Sequence, residues 1–386
     1  MLVSFIISTH NRRDVLLHTL DRLHALDLDQ SNCEIHIIDN ASTDGTAAAV
    51  AELGQVRLHR QTTNRGSCSK NIALPHARGE FIVFLDDDSY PQPGSIQRMI
   101  RHFHERPRLG AAGFTITLPD GSQECSAFPD VFIGCGVGFR REAILSVGGL
   151  PDDFFMQAEE YDLSLRLLDA GWEVSAFDDL HVTHLKTPMA RSSARAMRLD
   201  VRNNLLLISR YFPDRWAVRF CDDWLRRYWM IASASRQRRA FLIGMMQGSI
   251  GALRGGRSPV SNSTFEQFAK IERIKTQMMT ARHRYRARTV LLIDLGKNIL
   301  PYWLAAESCG LRIAAIADNR LATRKYRGIP VLTDNEARQM AFDIAIVSNS
   351  SPVHARARTI AWQALDGRPI IDLLAPAPSH QIGAAA

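Results

Sequence analysis

Three consecutive carboxylates, Asp86, Asp87 and Asp88, follow directly on the apolar run Phe81, Ile82, Val83, Phe84 and Leu85. A short apolar run of this kind is the pattern of a buried strand, and ligands of open α/β sheets collect beyond the carboxyl ends of such strands. The acids therefore stand where Mg2+ or Mn2+, hard cations that take oxygen ligands, would meet phosphate oxygens. Taken by itself, the cluster reads equally as a solvated acidic turn ahead of Tyr90 and Pro91. Two other strand ends carry polar residues in the same way. Residues 2–8 stop at Thr9, His10, Asn11 and Arg12, and Ile35, His36, Ile37 and Ile38 stop at Asp39, Asn40, Ala41, Ser42, Thr43, Asp44 and Gly45. Between them Val15, Leu16, Leu20 and Leu23 fall at helical spacing. Strand, helix and strand in this order predict a right-handed parallel crossover. The elements that must position the acids are those of a doubly wound, mostly parallel α/β sheet.

Further motifs follow in order: Asn64-Arg65-Gly66, Gly138-Phe139-Arg140-Arg141, Gly148-Gly149-Leu150-Pro151 and Glu159-Glu160-Tyr161-Asp162-Leu163-Ser164-Leu165-Arg166. With the three strand ends, their order and spacing resemble the family 2 glycosyltransferases, a large inverting group with the GT-A fold. The resemblance covers the first half of the chain. It implies transfer of a sugar from a nucleotide diphosphate sugar (UDP, dTDP or GDP) to a hydroxyl of a glycan or lipid-linked acceptor, in surface glycan biosynthesis. By the same resemblance Asp86 and Asp87 belong to the donor side of the site, and Asp88 holds the metal. His184 is a further metal-side histidine, with His181 as its rival.

Asp39 is placed to accept an N–H of the base, or else to cap the turn that follows it. Thr9, Asn11, Arg12 and Asp44 would complete the nucleoside pocket, and Arg65 would approach the donor phosphates. Relatives show Glu-Asp-x-Asp-Leu with the second acid as catalytic base, so here that position is Glu160, with Asp162 as the alternative. Leu163 and Leu167 mark the buried stripe of a helix that Gly171 ends. These acids then sit in its first turn, where the dipole favours the ionised form whatever their role. Gly134, Gly136 and Gly138 either admit backbone close to a ligand or form a strand turn. No Gln-x-x-Arg-Trp motif of processive synthases follows, so transfer of single residues is expected.

A chain of 386 residues accommodates two or three domains. The expected divisions are a glycosyltransferase domain over 1–190, a basic helical segment over 191–287, a smaller Rossmann-like α/β domain over 288–374, and a disordered tail over 375–386. Six cysteines without paired spacing indicate neither a zinc site nor a disulfide framework. With no signal-peptide pattern, and with residues 241–253 too short and glycine-interrupted to span a bilayer, the expectation is a cytoplasmic protein. Residues 191–290 hold 21 Lys plus Arg against 6 Asp plus Glu, which leaves the remainder at −8 under an overall charge of +7. This segment also contains Trp216, Trp224, Tyr228 and Trp229. It reads as a peripheral contact with the inner face of an anionic membrane, or as solvated helix faces around an aromatic core. Without a recognition motif, nucleic acid is not expected.

From Thr289 a second strand and helix pattern begins, with Asp318 where a ribose-binding acid would sit. The turn after its first strand keeps only Gly296 of the dinucleotide fingerprint, so a scaffold or oligomerisation role is as consistent as cofactor binding, and the oligomeric state is not encoded in any motif. Two other readings of the whole chain compete. One is a catalytically silent sugar-nucleotide or membrane-binding module with a regulatory Rossmann-like domain, which the intact acids oppose. The other is a nucleotidyltransferase, which needs a glycine-rich basic loop after the first strand, where this chain has Thr9-His10-Asn11-Arg12-Arg13.

Overall fold

The computed structural model describes residues 2–54, 56–186, 193–364 and 367–375. The tail expected from residue 375 lies outside them, apart from Ala375 itself. The chain forms two compact units, Met1–Phe268 and Ala269–Ala386.

The first unit opens with β1 (Val3–Thr9), α1 (Arg13–His24), β2 (Cys33–Asp39), α2 (Thr46–Glu52), β3 (Val56–Arg60), β4 (Phe81–Asp86) and β5 (Ser89–Pro91). It continues through α3 (Ser95–Glu105), β6 (Leu109–Thr117), β7 (Gln123–Glu124), β8 (Gly136–Arg140), α4 (Arg141–Ser146), α5 (Glu159–Asp169) and β9 (Glu173–His184). One mixed sheet results, in the order β3-β2-β1-β4-β8-β6-β9-β5, with β7 paired to β6. The strands β3, β2, β1 and β4 are parallel, and β8 enters antiparallel to both β4 and β6.

The early strands read as continuous apolar runs because both faces of the sheet are covered. Leu16, Leu20 and Leu23 of α1, with Met99 and Phe103 of α3, pack on one face; Ile144 of α4, with Leu163 and Leu167 of α5, packs on the other. Register then aligns the strand ends. Thr9 lies opposite Asp39, and Ser8 opposite Asp86, so the polar residues that end β1, β2 and β4 reach one edge.

The basic segment supplies α6 (Ser193–Tyr211), α7 (Asp214–Ala234), α8 (Arg238–Arg254) and α9 (Asn262–Phe268), all within the first unit. Its aromatics form a core of their own: Phe212, Trp216, Phe220, Trp224 and Phe265 are buried, with ring centroids 4.5 to 6.3 Å apart. No helix among the described residues is long and apolar enough to cross a membrane.

The second unit holds α10 (Ile271–Tyr285), β10 (Thr289–Ile293), α11 (Ile299–Ser308), β11 (Arg312–Ala317), β12 (Arg324–Tyr326) and β13 (Ile329–Leu332). It ends with α12 (Asp334–Arg338), β14 (Ile344–Val347), α13 (Pro352–Gln363) and β15 (Ile370–Ile371). Its sheet runs β12-β13-β11-β10-β14-β15, parallel except for the edge strand β12. The parallel strands step outward in both directions from β10, the order of a doubly wound sheet.

Candidate active site

The site lies at the carboxyl edge of β1, β2 and β4, where three loops hold one another. The Asn11 N–H donates to Ser42 Oγ (2.9 Å), while Asn11 Oδ1 accepts the Thr43 N–H (2.7 Å). Asp44 takes the N–H groups of Arg13 (3.0 Å) and Thr46 (3.1 Å), and with the Thr46 hydroxyl these hold its carboxyl below the usual range against burial. Asp39 is buried and its Oδ1 accepts the Ser42 N–H (3.1 Å), so the carboxylate does cap its turn. Asn11 and Ala41 adopt the left-handed region, at φ 52° and 59°. Such conformations cost on the order of 1–3 kcal/mol for residues with a side chain and cluster at functional sites.

Thr9 and Arg12 face the acids instead of open space. Thr9 Oγ1 donates to Asp87 Oδ2 (2.8 Å), and the Arg12 guanidinium spans Asp87 Oδ1 (2.9 Å) and Asp88 Oδ2 (2.7 Å). Asp87 is buried, and its backbone carbonyl also accepts the Thr19 hydroxyl. Burial outweighs Arg12 and pushes the Asp87 carboxyl up to about 7. Asp87 is thus an internal tie between β1 and the turn after β4. Arg65 is partly exposed and 3.3 Å from Asp152.

Asp88 reaches His184 because β5, just beyond the acids, pairs antiparallel with the end of β9 in the register Ser89 to His184. Asp88 Oδ1 and His184 Nε2 are 3.3 Å apart, and His184 Nδ1 lies 2.7 Å from Glu124 Oε2 and 3.7 Å from Cys135 Sγ. Burial disfavours the imidazolium, but Asp88, Cys135 and Glu124 outweigh it and push His184 up to about 12. Asp88 is held well below the usual carboxylate range, since His184 and Arg12 overcome its burial. His181 sits apart, its backbone tied to Ser95 and Gln92.

These residues suit a divalent cation. Asp86, Cys135 and His184 offer ligand atoms within 4.8 Å of one another, and His184 Nε2 is buried without a well-aligned hydrogen bond. Carboxylate oxygens suit Mn2+ or Mg2+, and a neutral imidazole nitrogen can join them, so a cation here would displace the proton that Asp88 and Glu124 favour on His184. Cys135 Sγ is a soft donor, less suited to these hard cations.

On the other flank of Asp86 stands Lys70, a buried lysine whose Nζ donates to Asp86 Oδ1 (2.9 Å) and to the Gly134 carbonyl (3.1 Å). A Cβ on Gly134 would come within 3.3 Å of Glu160 Oε1, so the glycine leaves room for that carboxylate. Glu160 is the second residue of α5, which follows two residues in the left-handed region, Gln157 (φ 74°) and Ala158 (φ 67°). Burial, then the neighbouring Glu159, push its carboxyl up to about 8. Glu159 is buried, bonded to the Ser67 hydroxyl, and its Oε2 has no hydrogen-bond partner among the described residues. Asp162 points elsewhere: fully buried, it pairs with Arg166, which also donates to the carbonyls of Val147 and Gly149.

Sequence reasoning did not find Lys70, Glu124 or Cys135. Lys70 lies four residues beyond Gly66, inside the motif region, but nothing in its type reveals burial. Cys135 lies between two of the glycines already noted, and Glu124 carries no local signal.

Residues 4–126 match the model of glycosyl transferase family 2. An uncharacterized glycosyltransferase of Haemophilus influenzae is 25% identical over 186 residues, 43% of this chain and 62% of the relative, so the chain spans less than two thirds of that protein. The N-acetylglucosaminyl-diphospho-decaprenol L-rhamnosyltransferase of Mycobacterium tuberculosis is 28% identical over 273 residues, 55% of this chain and 88% of the relative. Among solved structures, residues 1–349 of S. aureus TarS in complex with UDP-GlcNAc superpose with a TM-score of 0.50 at 15% identity, covering 80% of this chain and 91% of TarS 1–349. Residues 4–126 thus match glycosyl transferase family 2 by sequence, and the chain shares the GT-A fold of a solved glycosyltransferase structure.

Proposed function

We propose that this chain is an inverting, divalent-cation-dependent glycosyltransferase that moves a sugar from a nucleotide diphosphate sugar to a hydroxyl of a glycan or lipid-linked acceptor in surface glycan assembly. The observation that carries the reading is the placement of the Glu160 carboxylate against Gly134, whose carbonyl is held by the same Lys70 that pairs with Asp86; burial also pushes that carboxyl up to about 8. A general base works best with a pKa near the operating pH, in reach of the proton it takes. Its neighbour Asp162 is occupied by Arg166, which leaves Glu160 for that role.

Asp39 receives an N–H of the base, and the interlocked turns around Asn11 and Asp44 hold the nucleoside edge in shape. Asp88 Oδ1 and His184 Nε2, with Asp86 alongside, would hold Mn2+ or Mg2+, which supplies Lewis-acid neutralisation of the departing diphosphate. Arg12, on the other oxygen of Asp88, keeps that carboxylate ionised and aimed. Glu160 takes the proton from the acceptor hydroxyl as its oxygen attacks the anomeric carbon from the face opposite the diphosphate, which inverts the configuration. The lipid-linked acceptor is supported by the mycobacterial relative, whose name specifies a decaprenyl diphosphate. Transfer assayed across UDP, dTDP and GDP sugars should stop in EDTA and return with Mn2+, and NMR of the linkage should show inversion. EDTA-resistant transfer or retained configuration contradicts the reading.

A further inference from the structure

The face of α8 that turns away from the first unit is apolar, and basic at both ends. Leu242, Met246, Ile250 and Leu253 are 49%, 56%, 43% and 89% exposed. At 3.6 residues per turn they fall within about 80° of arc, a single stripe. The opposite face is made of glycines that bring α8 onto α6. A Cβ at Gly244 would lie 2.4 Å from the Arg198 carbonyl oxygen, and one at Gly248 would lie 2.9 Å from Leu205 Cβ. The helix is thus fixed by its buried face, and its outward leucines, methionine and isoleucine keep a large apolar area that this packing leaves uncovered.

The charge around the stripe is of one sign. Residues 224–265 contain seven arginines and no acid. Arg236, Arg238 and Arg239 stand exposed at the amino end of α8 and Arg254 at its carboxyl end. The first turn of α8 has no acidic residue, so Arg238 and Arg239 oppose the helix dipole. Helix stability does not account for them there. Trp229, 41% exposed, closes the amino end, its ring 5.4 Å from Phe241 and 5.4 Å from the Arg238 guanidinium. An exposed apolar stripe, flanking arginines and an amphipathic tryptophan are what a helix lying in the plane of a bilayer interface presents.

We infer that α8 is a membrane-docking helix that seats Leu242, Met246, Ile250 and Leu253 among the acyl chains of an anionic phospholipid surface, with Arg238, Arg239 and Arg254 on the headgroups. A second copy of the chain is a poor occupant. A two-fold contact through α8 would set arginine against arginine in either direction, with no acid on the helix to answer it. The inference does not depend on the acceptor chosen above, yet it bears on it. α8 rests on α6, and Asn203 of α6 donates to the carbonyls of Met156 (2.9 Å) and Gln157 (2.7 Å), immediately before Glu159 and Glu160. The docking helix and the acid cluster therefore share one brace.

The test is sedimentation of the full chain with phosphatidylcholine vesicles, with and without phosphatidylglycerol. Binding is expected only with the anionic lipid and should weaken as salt rises. Reversing Arg238, Arg239 and Arg254 to Glu should lower affinity by on the order of a hundredfold or more, since each cation near such a surface is worth about fivefold. The combined variant Leu242→Ser, Met246→Ser, Ile250→Ser and Leu253→Ser should lose binding while remaining folded, and wild type should be monomeric without vesicles. Failure of wild type to bind anionic vesicles overturns the inference, as does undiminished binding of the serine variant or a vesicle-independent dimer that this variant dissociates. Should the serine variant unfold, brominated lipids decide with near-native protein: they should quench wild-type fluorescence, and much of that quenching should vanish in Trp229→Phe. Equal quenching of the two proteins overturns the inference.

Discussion

The two units each end parallel strands in acids, and they use those acids differently. In the second unit Asp318 Oδ1 accepts the N–H groups of Arg320 and Leu321 and Oδ2 accepts that of Leu295, so its carboxylate is taken up by backbone. Asp294 is held by Arg358 (2.7 Å) and Asn349 (3.1 Å), and Arg358 also forks onto both oxygens of Asp334. A Cβ on Gly296 would lie 2.7 Å from the Ser348 carbonyl oxygen, so this glycine serves the approach of two loops. In the first unit the acids stand in excess of their partners. Three aspartates, Glu159 and Glu160 meet chiefly Arg12, Lys70 and His184, and burial first, then neighbouring acids, raise the carboxyls of Asp87, Glu159 and Glu160, whereas Asp294 in the second unit is raised by burial against a paired Arg358. A strand-end acid whose oxygens are filled by backbone N–H groups stabilises a loop. One that is buried among other acids is available for a cation or a proton.

The largest effect expected from this contrast is at Glu160. Glu160→Gln should lower transfer by ~10²- to 10⁴-fold, the usual worth of a general base, while donor binding by calorimetry is unchanged. Because the carboxylate is the active form, the wild-type rate should climb as pH rises through about 8 and level off above it. A rate already flat from the pH of an ordinary glutamate upward would move the base elsewhere. Asp162→Asn, two residues along, should instead act on the fold. Stripping Arg166 of its buried partner costs about 3 kcal/mol or more, so thermal melting should shift down while the protein that remains folded still turns over. Inactive but normally stable Asp162→Asn protein would exchange the roles of the two acids.

Local pattern was enough to read the strand ends, because an apolar run that stops at polar residues is a property of neighbours in sequence. It was also enough for the helix of Leu163 and Leu167 and its end near Gly171, where φ is 84°. What it could not show is which acids are matched by which cations. Thr9 and Arg12 belong by position to the nucleoside edge, yet their side chains cross to Asp87 and Asp88, more than 70 residues away in the chain. Lys70 under Asp86 is invisible for the same reason. The basic segment shows the limit of composition: Trp216 and Trp224 are core and Trp229 is exposed, a difference of packing among residues of one type.

Two smaller effects sharpen the contrast further. Asp39→Ala should weaken donor binding by roughly tenfold to a hundredfold, the worth of a hydrogen bond to a charged group, with little change in turnover because base recognition is uniform binding. Asp318→Asn should cost about 1 kcal/mol of stability through its weakened backbone hydrogen bonds and leave sugar transfer as it was. Calorimetry with NAD should show no tight binding to the wild-type chain, and a micromolar dissociation constant would give the second unit a ligand of its own.

The proposed function requires the acids at the edge of the first sheet to hold a nucleoside diphosphate through a divalent cation, and calorimetric titration of wild type and Asp88→Asn with UDP, dTDP and GDP, each with Mn2+ and with EDTA, checks this. At least one nucleotide should bind wild type with Mn2+, and that binding should collapse in EDTA and in Asp88→Asn. Equal binding under all of these conditions, or none by any of the three nucleotides, would contradict it.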